Sequence, residues 1–318
     1  MTNSIGMPSS LFIASLKTYI DYIPIQNFWM IPGIRDNAPF YGLNAFVYML
    51  DYILQANRYD YVIYIDEDCF IADFNELIDE FKEFVKGEYC LAGSPDGGIM
   101  CHRNHSKMMI NTFLSFWNIK LLREKNITYN NIAEYVNNAI KQYPRTMFKY
   151  FVSTMKENKK DLFKYMENES TSMVKSVTKF RKKYFDENGE CPYCETVKDD
   201  PTNSIERHQT PYTYDDDIAL DNFEPYYILE QALIYLTDTP IYYFFTTDLY
   251  GKQYIEDKKE FDLSGLTSAV YRYNNIKDYK LMAVHTWYSR AYTKWPTVPM
   301  QLEHTKRINT IIREFSSV

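Results

Sequence analysis

The segment Tyr61-Val62-Ile63-Tyr64-Ile65-Asp66-Glu67-Asp68-Cys69-Phe70-Ile71 constrains the fold more than any other stretch of the chain. Its first five residues are β-branched or aromatic without a polar interruption, which predicts a central strand over Tyr61 to Ile65 covered on both faces. Two carboxylates two residues apart follow at once, where the chain leaves the sheet. In open α/β folds ligands bind outside the carboxyl ends of the strands. Carboxylate oxygens are hard ligands, suited to Mg²⁺ or Mn²⁺ whose remaining positions are taken by phosphate oxygens and water. Asp66 and Asp68 are therefore candidate metal ligands, and the expected product is a clamp for a diphosphate.

The flanking pattern alternates strand and helix. Ser10 to Ser15 and Asn27 to Ile31 read as short strands, and Leu43, Phe46, Val47, Leu50 and Leu54 recur at helical spacing. Beyond the acidic segment, Phe74 to Val85 predicts a helix and Tyr89 to Gly93 a strand. A turn and short strand at Gly97 to Met100 come next, then an apolar helix from about Lys107 to Leu122. Residues 125 to 185 read as mostly helical and Lys-rich, and 186 to 222 as loop. Glu224-Pro225 places Pro at the first position of a helix running Tyr226 to Leu236. Strands Ile241 to Phe245 and Tyr279 to Val284 follow, the latter ending in His285. The expectation is an α/β core made of residues 1–124 and 223–318, with 125–222 as a mainly helical insertion.

Composition narrows the class. In 318 residues, 46% are hydrophobic and only 10 are Gly, which excludes disordered and collagen-like chains. Five Cys argue against a disulfide scaffold and for a reducing compartment, here expected to be the cytoplasm. No basic stretch precedes Ser10 to Leu16, so a secretory signal is not expected, and no apolar run reaches the roughly 18 residues of a membrane span. Net charge is −7 but uneven: Lys141 to Lys183 holds twelve Lys/Arg against four Asp/Glu, and Tyr184 to Glu230 holds two against thirteen. A basic surface able to meet an anionic partner is expected beside an acidic one.

The acidic segment in its strand–helix setting resembles the D-x-D region of GT-A glycosyltransferases, and the resemblance extends over about residues 10–120 and 223–290. It implies a Rossmann-like fold with a mixed central sheet flanked by helices. It also implies transfer of a sugar from a nucleoside diphosphate sugar, a UDP-sugar being favoured, with Mn²⁺ or Mg²⁺. By that likeness, Glu67, Gly97 and Gly98 approach the donor alongside Asp66, and Ala14, Ser15 and Arg35 lie where the nucleotide is held. Glu230-Gln231 is similar to the helix start that faces the sugar, so Glu230, its rival Glu224, and Asp96 are candidate catalytic carboxylates. His285 matches a late metal-ligating His. The family continues from that His to Gly and Lys, whereas here Thr286 and Trp287 follow, leaving Arg290 as the candidate diphosphate contact. The acceptor is open, with an anionic glycan, protein or modified nucleic acid in view.

Two other classes remain in play. A haloacid-dehalogenase-like phosphatase would use Asp66 as nucleophile, although such motifs usually lie near the chain start. A non-catalytic anion-binding module would use the mixed basic and aromatic run Lys175 to Tyr184. Cys191-Pro192-Tyr193-Cys194 lacks a second ligand pair at zinc spacing, so these residues read as loop cysteines.

Overall fold

The computed structural model describes residues 50, 53–55, 57–66, 69–97, 106–143, 147–184, 227–248, 252–255, 259–262, 267–275 and 277–286. Strand β1 (Tyr61–Ile65) forms as its apolar run predicts, though Tyr61 to Ile63 are only half-buried. Short β2 (Cys69–Ile71) follows, then helix α1 (Phe74–Lys86). Asp73 caps α1, its carboxylate accepting from the N–H groups of Asn75 at 2.8 Å and Glu76 at 3.3 Å. Such a cap satisfies donors that the first turn of a helix leaves without partners.

Strand β3 (Leu91–Pro95) leads to β4 (Ile110–Asn118), and here the structure corrects the sequence reading. The helix expected over Lys107 to Leu122 is a strand as far as Asn118, and only Ile119–Glu124 is helical, as α2. Every residue of β4 is buried, and a strand buried on both faces shows no alternation that would separate it from a buried helix. Helices α3 (Tyr129–Gln142), α4 (Met147–Asn158) and α5 (Lys160–Tyr184) fill the Lys-rich stretch as expected. Helix α6 (Tyr227–Thr237) is followed by β5 (Ile241–Tyr243) and β6 (Phe245–Asp248), so the single strand expected over Ile241 to Phe245 is broken at Phe244. Strands β7 (Lys252–Ile255), β8 (Lys259–Asp262), β9 (Thr267–Asn275) and β10 (Asp278–Thr286) complete the described elements.

The result is a mixed α/β protein. One four-stranded sheet has the order β1-β4-β3-β5. In it β4 runs antiparallel to both β1 and β3, and β5 is parallel to β3. The second sheet, β2-β10-β9-β6, is antiparallel. The chain passes from the first sheet to the second at two places, between β1 and β2 and at Phe244, whose N–H donates to the Gly93 carbonyl at 2.9 Å. Asp66 thus stands where the chain leaves β1 at one of the two crossings.

Two hydrophobic clusters hold these parts together. The first packs Trp117 and Leu122 with Phe151 of α4 and Ile228, Leu229 and Leu233 of α6. The second joins Phe84, Phe113, Phe116 and Phe244 to Val284 of β10. Helix α5 spans both, with Phe163 and Met166 in the first and Val177 and Phe180 in the second. Replacing a fully buried Phe such as Phe116 by Ala costs about 3–5 kcal/mol in comparable cores. Among the described residues no helix is long and apolar enough to cross a membrane.

Candidate functional site

The acidic end of β1 is held by its surroundings. The Asp66 N–H donates to the Phe113 carbonyl of β4 at 2.8 Å, and the Asp66 carbonyl accepts from the Cys69 N–H at 3.1 Å. The Tyr64 hydroxyl donates to Asp66 Oδ1 at 2.6 Å. Cys69 then pairs with His285 in the β2–β10 register, so the residue after Asp68 in the chain and the expected late histidine share one short ladder. The His285 ring is buried and stacks on Phe113, with centroids 4.2 Å apart and planes 4° from parallel. Glu67 and Asp68 lie outside the described residues, as do Ala14, Ser15, Arg35, Gly98, Glu224, Arg290, Cys191 and Cys194. Among the described residues no group of three or more His, Cys, Asp and Glu side chains is gathered for a metal.

A second set of groups lies at the carboxyl end of β3. Asp96, fully buried, accepts from Asn111 Nδ2 at 3.1 Å and from the Tyr227 hydroxyl. Glu230 is also buried, and its Oε2 accepts from the Ile110 N–H at 3.0 Å, while Oε1 has no partner among the described residues. Burial pushes the Glu230 carboxyl well above the usual range against the pull of the Ile110 N–H, and the negative charge of Asp96 adds to it. Next to Glu230, Gln231 is fully buried, and neither its amide oxygen nor its nitrogen has a partner among the described residues. Gly97 is buried beside Asp96.

Asn111 ties the two sets together. Its Nδ2 donates to Asp96, and its Oδ1 accepts from the Phe113 N–H at 3.1 Å. Phe113 in turn receives Asp66 on its carbonyl and His285 on its ring. An irregularity in the β3–β4 register makes this possible: Gly93 pairs with Ser115 but Ser94 with Asn111, so residues 112–114 have no partner in β3. Bulges of this kind redirect side chains and free backbone groups for other partners.

Sequence reasoning overlooked Asn111, Phe113 and Tyr227. A signal was present for two of them. Asn111 interrupts an apolar run, and a polar residue buried there requires hydrogen-bond partners. Tyr227 precedes Glu230 by three positions, which puts both on one face of α6. Nothing local marks Phe113, because its role depends on strand pairing. No family model, curated protein or solved structure matches the chain.

Proposed function

We propose that this protein is a GT-A-type glycosyltransferase that moves a sugar from a nucleoside diphosphate sugar, a UDP-sugar being favoured, to an acceptor. The observation carrying this reading is the pairing of Cys69 with His285, because Cys69 follows the D-x-D segment directly in the chain and His285 is the late histidine that the resemblance calls for. Support also comes from the mixed sheet, in which β4 opposes β1, β3 and β5. Asp66, Asp68 and His285 offer two carboxylates and an imidazole, a donor set suited to Mn²⁺ or Mg²⁺. When bound, such an ion supplies Lewis-acid neutralisation of the departing nucleoside diphosphate.

The chain's own residues do the rest. Asn111 and Tyr227 hold Asp96 as an oriented acceptor at the carboxyl end of β3. Glu230 holds the Ile110 N–H through Oε2, burial pushes its carboxyl upward, and Oε1 remains as a hydrogen-bonding atom for a sugar hydroxyl. The Gln231 amide offers one donor group and one acceptor beside it. Exposed Lys160, Lys164, Lys175 and Lys179 along α5 favour an anionic acceptor.

The test is a screen of nucleotide sugars for Mn²⁺-dependent hydrolysis and for a thermal shift, with and without chelator. A donor that raises the melting temperature only with the metal is the expected result. Absence of both signals across UDP-, GDP- and CMP-sugars would remove the assignment.

A further inference from the structure

A cleft of about 230 Å³ lies between α5 and the seam of the two sheets, away from the site above. Asp66 and Asp96 follow the carboxyl ends of β1 and β3, whereas Tyr89 precedes β3 and Tyr242 pairs with Ala92 near its amino-terminal end. The helix contributes Tyr165, Glu169 and Met173, spaced by four so that they share a face. Tyr89 and Tyr242 form a second aromatic wall with ring centroids 5.2 Å apart, and Tyr273 closes a third side.

The described lining residues include two carboxyl groups, Glu80 and Glu169, and no lysine, arginine or histidine; burial pushes the Glu80 carboxyl upward, so the negative charge rests chiefly on Glu169. Glu80, buried at its floor, accepts from the Tyr242 hydroxyl at 2.9 Å. Arg272 approaches Glu80 only to 3.9 Å and is engaged more closely by Glu76 at 3.2 Å and Asp79 at 3.3 Å. Glu169 is exposed at the rim and has no ion-pair partner among the described residues. Tyr165 is 43% exposed, a large aromatic surface left open to solvent at the mouth. The volume is well above the roughly 10–15 Å³ that a single water requires, so there is room for a ligand of several heavy atoms.

Tyrosine faces attract weakly hydrated cations through the ring quadrupole, and carboxylates beside them add Coulomb attraction. The geometry points to a binding site for a small organic ammonium, of the quaternary type carried by choline, in the cleft bounded by Tyr89, Tyr165, Tyr242, Glu80 and Glu169. The site is independent of the glycosyltransferase reading and stands or falls separately from it. Neutral sugars also stack on tyrosine and donate hydroxyls to carboxylates, but they carry no positive charge for the exposed Glu169 to attract.

The experiment titrates the full chain with choline chloride, with its neutral isostere 3,3-dimethylbutanol, and with methyl glucoside, following ligand resonances by saturation-transfer NMR and binding by calorimetry. Choline is expected to bind about tenfold more tightly than the isostere, the scale of a cation–π and carboxylate contribution. Tyr165→Ala and Glu169→Gln, both at exposed positions, are expected to weaken choline binding severalfold with unchanged melting temperatures. Absence of choline binding, equal affinity for the isostere, preference for the glucoside, or full affinity in Tyr165→Ala would each overturn the inference.

Discussion

Cys69 and His285 face each other across the β2–β10 ladder, though 216 positions separate them in the chain. The strand pairing positions the histidine, and stacking on Phe113 orients its ring. Asp66 hangs from the same Phe113 through its backbone N–H. One residue of β4 thus braces both the acidic turn and the imidazole.

On the proposed function, Asp68→Ala is expected to reduce metal-dependent transfer by about a thousandfold, corresponding to roughly 4 kcal/mol of lost stabilisation. Circular dichroism and the melting temperature should stay as in the parent. Near-parental rates in this variant would eliminate the metal clamp. His285→Ala should weaken apparent Mn²⁺ affinity at least about tenfold, since even outer partners of a metal site contribute that much.

Glu230 links the buried acid pair to pH. Its folded-state pKa is raised, so the folded protein holds a proton that the unfolded chain releases above about pH 4.3. The contribution of the protonated acid to stability is complete below that pH and is lost as pH rises towards the folded-state value. The parent should therefore lose stability relative to Glu230→Gln as pH rises from about 4.3 towards that folded-state value, at up to about 1.4 kcal/mol per pH unit for one proton. Denaturant melts of both proteins across that range measure the difference, and parallel profiles would contradict it.

Asn111→Ala strips a donor from Asp96 and an acceptor from the Phe113 N–H, both in the interior. Asp96 keeps the Tyr227 hydroxyl, so loss of the two Asn111 bonds costs about 1–3 kcal/mol. Urea unfolding should register that loss. The variant should also bind a donor sugar nucleotide less tightly, because it loosens both sets of groups at once; unaltered donor affinity would mean that Asn111 only supports the fold.

Gly93 lies at the bulge in the β3–β4 register, and a Cβ there would come within 2.7 Å of Ile110 Cδ1. Gly93→Ala should destabilise by about 1–3 kcal/mol through overpacking. Ile110→Val removes the nearest clashing atom and should recover part of the loss in the double variant. A purely additive pair would place the penalty in the backbone instead.

Strand β1, helix α1 and helix α6 were legible from the chain alone because their signals are local: an unbroken β-branched run, an apolar period near 3.6 and a sharply marked helix start. Asp66 could be nominated as a candidate because it ends an apolar run, whereas Asp96, Glu230 and His285 were nominated through the resemblance. Strand β4 was not legible, since full burial erases the alternation that distinguishes strand from helix.

What belongs to three dimensions is who meets whom. Residue order could nominate Asp96 and Glu230 separately, but their shared burial, and with it the upward push on the Glu230 carboxyl, arises only when α6 packs against the β3–β4 pair. Likewise Asn111 becomes a bridge only because the register slips between Gly93 and Ser94. Local propensities act over a few residues and are written in the chain; dielectric environment and strand register are properties of groups far apart in sequence, and they exist only once the sheets have formed.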